Sequence, residues 1–159
     1  MISWQLIHLI STAFMVGVIW YFQLVHYPMF NEYDKSRFSM IHNRHQVLTT
    51  FVVGPMMLLE VISGCMIFEA ELFAIEPLWL TSAILLLLIW LSTAFLQMPC
   101  HYKLEKKYSS KSLTFLVRSN WIRTISWTLR LVFLAILNER GIWWSLCLND
   151  HVLLFLPVS

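Results

Sequence analysis

Four of the six histidines in this 159-residue chain, His26, His42, His45 and His101, stand at the edges of long apolar stretches. Imidazoles grouped with a carboxylate are usual ligands of iron, zinc or copper, and a histidine on the wall of a helical bundle can also hold haem. His42 and His45 are three residues apart, so on a helix they share a face and can reach one metal ion. The same face then runs through Thr49 and Met56 to Glu60, about 20 Å from His45 at 1.5 Å per residue. Three further rows have helical spacing: Thr93, Gln97 and His101; Asn120, Arg123, Trp127 and Arg130; and Gln23 with His26, Thr12 lying on a compatible row.

These rows define the expected chemistry. His26, His42, His45 and His101 are the candidate ligands of a metal ion or haem, with Gln97, Asn120, Arg123 and Trp127 as cofactor-contacting residues. Glu60 and Arg130 lie deep at comparable height, the expected catalytic pair: Glu60 to handle a proton, Arg130 as its ion-pair partner. Arg123 offers a planar fork of donors to an anionic group, and if Asn120 and Arg123 open a helix, its free N–H groups add to that site. The competing reading of the same residues is interfacial, with histidines binding water and lipid phosphates at helix ends and Arg123 snorkelling to the headgroups.

Positioning such rows requires helices, and the composition says in what solvent. The chain is 58% hydrophobic and 13% charged, with a mean hydropathy of +0.67. That is more apolar surface than a small soluble domain can hide, so lipid must be the solvent for much of it. About 20 apolar residues cross the hydrocarbon core as a helix, and four windows qualify: 4–25, 47–68, 78–98 and 121–137. The fourth contains Arg123 and Arg130, which must therefore face protein or water. The expected fold is an all-α, integral membrane four-helix bundle over residues 1–140, followed by an apolar interfacial tail, 141–159, led by Trp143 and Trp144. The N-terminus has no basic leader or small-residue cleavage site, so it is expected to stay as the first helix.

Basic residues set the expected orientation. The segments between helices one and two and between three and four hold Lys35, Arg37, Arg44, Lys103, Lys106, Lys107, Lys111 and Arg118, whereas the other side keeps only Arg140 among acidic residues such as Glu76 and Glu139. The positive-inside rule puts the basic segments in the cytoplasm and both termini outside. Threading the helices accordingly gathers the four candidate ligands at the cytoplasmic ends, with His8 and His151 near the opposite face.

Other chemistries find no support. A net charge of +2 without a basic stripe excludes a nucleic-acid surface. No GxSxG is present, and four glycines without suitable spacing exclude phosphate-loop and dinucleotide fingerprints. Cys65, Cys100 and Cys147 are too scattered for a disulfide framework or a zinc site. Pro55, after Gly54, is expected to kink or loosen the second helix.

The segments "VGVIWYFQLVHYPMF", "RFSMIHNRHQVLTTFVVGPMMLLE", "WLSTAFLQMPCHYKLEKK" and "SNWIRTISWTLR" look like a widespread group of small bacterial four-helix membrane proteins, over residues from about His8 to Arg130. The "NWIRT" start of the last helix, with a polar end to the third, resembles the anthrone oxygenase-like family. A histidine closing helix one, and a proline in helix two after a basic, aromatic approach, resemble the haem-binding four-helix protoporphyrinogen oxidases. The resemblance implies an oxidoreductase-like protein of the bacterial cytoplasmic (inner) membrane, acting on a hydrophobic substrate that arrives from the bilayer. The alternative is a non-catalytic membrane subunit or small transporter that binds lipid or solute, forming a homo-oligomer or docking a membrane partner through residues 141–159.

Overall fold

A computed structural model describes residues 3–30, 32–70 and 76–139, apart from the side chains of 69 and 70. They form four helices, α1 (Trp4–Met29), α2 (Phe38–Ala70), α3 (Pro77–Lys106) and α4 (Ser110–Glu139). Among the described residues the regular structure is all helical, and α1, α2 and α3 are each long and apolar enough to cross a membrane. The expected tail 141–159, with Trp143, Trp144, Cys147 and His151, lies outside the described residues.

Polar side chains start three of the helices by satisfying backbone N–H groups that have no partner in the first turn. Ser3 Oγ accepts from Leu6 N at 3.2 Å, the Glu76 carboxylate from Leu78 N at 2.7 Å, and Ser109 Oγ from Ser112 N at 3.3 Å. Pro77 opens α3, where its missing N–H costs nothing.

Each helix outruns its apolar window at the basic end. An apolar window measures hydrocarbon thickness, whereas Arg, Lys, Gln and Glu continue a helix readily into the headgroup zone. His42 and His45 consequently sit on α2 itself, and His26 and His101 lie within α1 and α3 instead of closing them. The same extension corrects the expectation for Asn120 and Arg123. They lie about three turns inside α4, where the backbone N–H groups are already bonded within the helix, so no free N-terminal donors stand beside them.

Two prolines reshape α1 and α3 alike. Tyr27 N–H bonds Phe22 O and Met98 N–H bonds Thr93 O, five residues back, so Phe22–His26 and Thr93–Gln97 are wide π turns. Pro28 and Pro99 follow immediately, and a proline ring presses on the carbonyl four residues earlier while offering no donor, which the wider ladder relieves. Pro55, expected to loosen α2, lies inside one continuous helix.

The packing is inverted relative to a water-soluble bundle. Glu60 and Arg130 are 0% and 1% exposed, while Phe51 and Phe95 are 76% and 72% exposed. On α4 the polar residues Asn120, Arg123, Thr124 and Arg130 turn inward and Ile125, Leu129 and Val132 turn outward. Burying ions and exposing large apolar side chains is unfavourable in water and favourable in lipid. Inside, apolar layers alternate with polar ones. Ile67, Trp79, Leu134 and Leu137 close the acidic end; Met15, Ile19, Ile89 and Trp127 fill the middle; Tyr27, Phe30, Phe38 and Leu104 close the basic end.

Candidate functional site

At the basic end the histidines of three helices gather, those of α1 and α2 around one phenylalanine. Phe30 lies 4.7, 5.6 and 5.4 Å, ring centre to ring centre, from His26, His42 and His45. His26 of α1 stacks on His45 of α2 at 4.0 Å, and His101 Nδ1 of α3 lies 3.2 Å from His42 Nε2 of α2. The Thr49 hydroxyl bonds the His45 ring at 3.2 Å, as their i,i+4 spacing on α2 dictates. Two ring nitrogens, His26 Nε2 and His42 Nδ1, are buried without a hydrogen-bond partner. The four expected ligands are thus neighbours. Among the described residues, however, no three His, Cys, Asp or Glu side chains already stand in an arrangement that could hold a metal ion.

One layer deeper lies a chain of amides and the Arg123 cation. Asn120 Nδ2 donates to Gln23 Oε1 at 2.8 Å, and Arg123 NH1 donates to Asn120 Oδ1 at 3.3 Å. Gln97 Nε2 donates to Ser119 Oγ at 3.3 Å. Arg123 also lies over the Trp127 ring at 5.1 Å, a cation–π contact. Arg123 Nε and Gln97 Oε1 are buried without a partner, so this layer ends on an unused donor and an unused acceptor.

Deepest is a charged network that links all of α1, α2 and α4. The Glu60 carboxylate accepts from Arg130 NH1 at 2.5 Å, Thr12 Oγ1 at 2.8 Å and Trp127 Nε1 at 3.0 Å. The expected Glu60–Arg130 ion pair is therefore present, and Trp127 serves it through its indole N–H. Arg130 NH2 lies 3.1 Å from His8 Nε2, and His8 Nδ1 lies 2.8 Å from Ser63 Oγ. A guanidinium only donates, so His8 Nε2 is the acceptor and the proton sits on Nδ1. His8 then donates to Ser63 Oγ, which donates onward to Leu59 O at 2.6 Å. Gly64 lies beside the His8 ring, where a Cβ would make van der Waals contact with Cε1 at 3.4 Å.

The residue reading missed His8, Ser63 and the central Phe30. A signal existed for two of them: His8 is four residues before Thr12 and Ser63 three after Glu60, so both share a helical face with a deep polar residue. Phe30 carried none, because an aromatic residue beside an apolar run is ordinary core composition.

Comparison of the chain with family models, with curated proteins and with solved structures returns no match.

Proposed function

We propose that the chain is a membrane-embedded, oxidoreductase-like metalloprotein whose histidine cluster at the basic end takes up one transition metal ion. The observation that carries this reading is the 3.2 Å separation of His101 Nδ1 and His42 Nε2, with His26 and His45 adjoining. That distance suits a hydrogen bond between two imidazoles and equally two imidazoles on one ion, since metal–nitrogen bonds are about 2.0–2.1 Å. The buried, unpartnered nitrogen of His26 lies in the same cluster. An ion fits better than haem, because His26 and His45 are in van der Waals contact and leave no room for a macrocycle between them. When bound, the ion would supply the electron chemistry. The protein's part is to keep the imidazoles neutral in an apolar shell, with Arg123 holding an acceptor oxygen of the substrate.

In this reading all four helices span the membrane. The inward-turned polar face of α4 supports the fourth crossing, the excess of basic residues supports a cytoplasmic side for the histidine cluster, and the bacterial inner membrane follows from the resemblance alone.

The test is metal analysis and an absorption spectrum of the full chain in mild detergent, beside a His42→Ala/His101→Ala variant. About one ion per chain, lost in a variant of unchanged elution and melting, is the expected result. A metal-free, colourless, folded protein overturns it. That outcome belongs to the second reading, a non-catalytic membrane subunit or small transporter, which the face-to-face His26–His45 contact favours because stacked rings do not share a metal.

A further inference from the structure

At the opposite end from the histidine cluster, a cleft of about 310 Å³ opens between α2 and α3. α2 packs on the Met98–Lys106 end of α3 and only sparsely on its first half, which leaves the gap. Gly64 and Cys65 of α2 and Trp79 and Ser82 of α3 form its walls, and His8 and Arg130 reach it from α1 and α4. Cys65 and Phe68 on its α2 side are exposed, so it opens sideways where a bilayer would lie.

Two of its polar side chains carry an unsatisfied group. Arg130 is 1% exposed with its Nε–H unpartnered, and Ser82 is 1% exposed with its hydroxyl unpartnered. Leaving such groups dry and unpaired is costly, and an occupant that accepts from both removes the cost. His8 offers nothing more, as both of its ring nitrogens are engaged. Charge narrows the occupant further. Glu60 already balances Arg130, so an anionic head would bring an uncompensated charge to membrane depth, whereas a neutral carbonyl would not. The rest of the lining is apolar and includes the Trp79 indole, which suits an aromatic or quinonoid ring carrying that carbonyl.

We propose that this cleft binds a neutral, flat, lipid-borne molecule of the quinone class, one carbonyl oxygen accepting from Arg130 Nε–H and the Ser82 hydroxyl. The site is separate from the histidine cluster, and its occupancy does not require a metal there.

Cys65 on the wall supplies the readout. The full chain in mild detergent is alkylated with N-ethylmaleimide, and the rate is followed on the Cys65 peptide by mass spectrometry. The probe is tetramethyl-1,4-benzoquinone, which has no free ring position for thiol addition. Its controls are tetramethylbenzene, which lacks the oxygens, and laurate, which carries a charge. At ten times its Kd the quinone slows Cys65 alkylation about tenfold. Ser82→Ala raises the Kd about fivefold, the loss of one hydrogen bond, and Ala83→Phe, which fills the cleft from an exposed position, abolishes protection. No protection by the quinone overturns the proposal, as does equal protection by tetramethylbenzene or stronger protection by laurate. Should Ala83→Phe fail to fold, Ser82→Ala and the two control molecules still decide. Metal content measured on the same samples keeps the outcome distinct from that of the histidine cluster.

Discussion

Replacing Glu60 by Gln removes one charge from the bundle interior and leaves the other in place. Arg130 then stands 1% exposed with no carboxylate among the described residues to balance it. Breaking a buried pair by removing one partner costs about 3–5 kcal/mol. For a chain of this size each kcal/mol moves the melting temperature by about 2–4 °C, so Glu60→Gln is expected to melt about 6–20 °C lower. Arg130→Met strands the carboxylate instead, but Thr12 and Trp127 still donate to it and a carboxyl can take up a proton. Arginine cannot shed its charge in the same way. Arg130→Met is therefore the milder single variant. Glu60→Gln/Arg130→Met removes both charges and is expected to lose less than the sum of the two, with a coupling of about 2 kcal/mol or more. The assay is thermal unfolding of detergent-purified protein for the wild type and three variants. A Glu60→Gln melting temperature close to that of the wild type, or losses that simply add, would refute the argument that the pair neutralises membrane depth.

Trp127→Phe keeps the packing of the middle apolar layer and deletes the 3.0 Å donor to Glu60; a loss of about 1.5–3 kcal/mol is expected in the same melt, as for hydrogen bonds to charged groups. Ser63→Ala takes away the acceptor of His8 Nδ1–H, and nitrogen NMR of labelled histidine is expected to report an Nδ1–H tautomer in the wild type and a mixture in the variant. In the loop between α1 and α2, Ser36 N–H donates to Asp34 Oδ1 at 2.9 Å, which holds the Asp34 carboxyl below its ordinary value. A carboxyl depressed in the folded state stabilises above its unfolded pKa and loses that contribution as pH falls through the folded one; a proton titration of Asp34 that shows no depression contradicts the turn.

Much of this protein was legible residue by residue. Composition alone demanded lipid as solvent, and the 3.6-residue period alone put Asn120, Arg123, Trp127 and Arg130 on one face of a helix, where α4 indeed turns them inward. The Glu60–Arg130 pair followed from depth, because two unpaired charges cannot remain separate in hydrocarbon. These are local or solvent-level constraints, which a linear chain records directly. The helix ends were less legible, since hydropathy falls off before helicity does, and this displaced the start of α4 from Ser110 to residue 121.

The histidine cluster divides along the same line. Their type, and the shared face of His42 and His45, belong to the sequence. That His101 meets His42, that His26 stacks on His45, and that Phe30 sits among them depend on how three helices lean together, with π turns before Pro28 and Pro99 setting the rotation of two of them. Only the tertiary structure could place His8 against Arg130 and open the cleft beside Ser82, because contacts between residues as distant as 8 and 130 are set by helix packing, which no local period encodes.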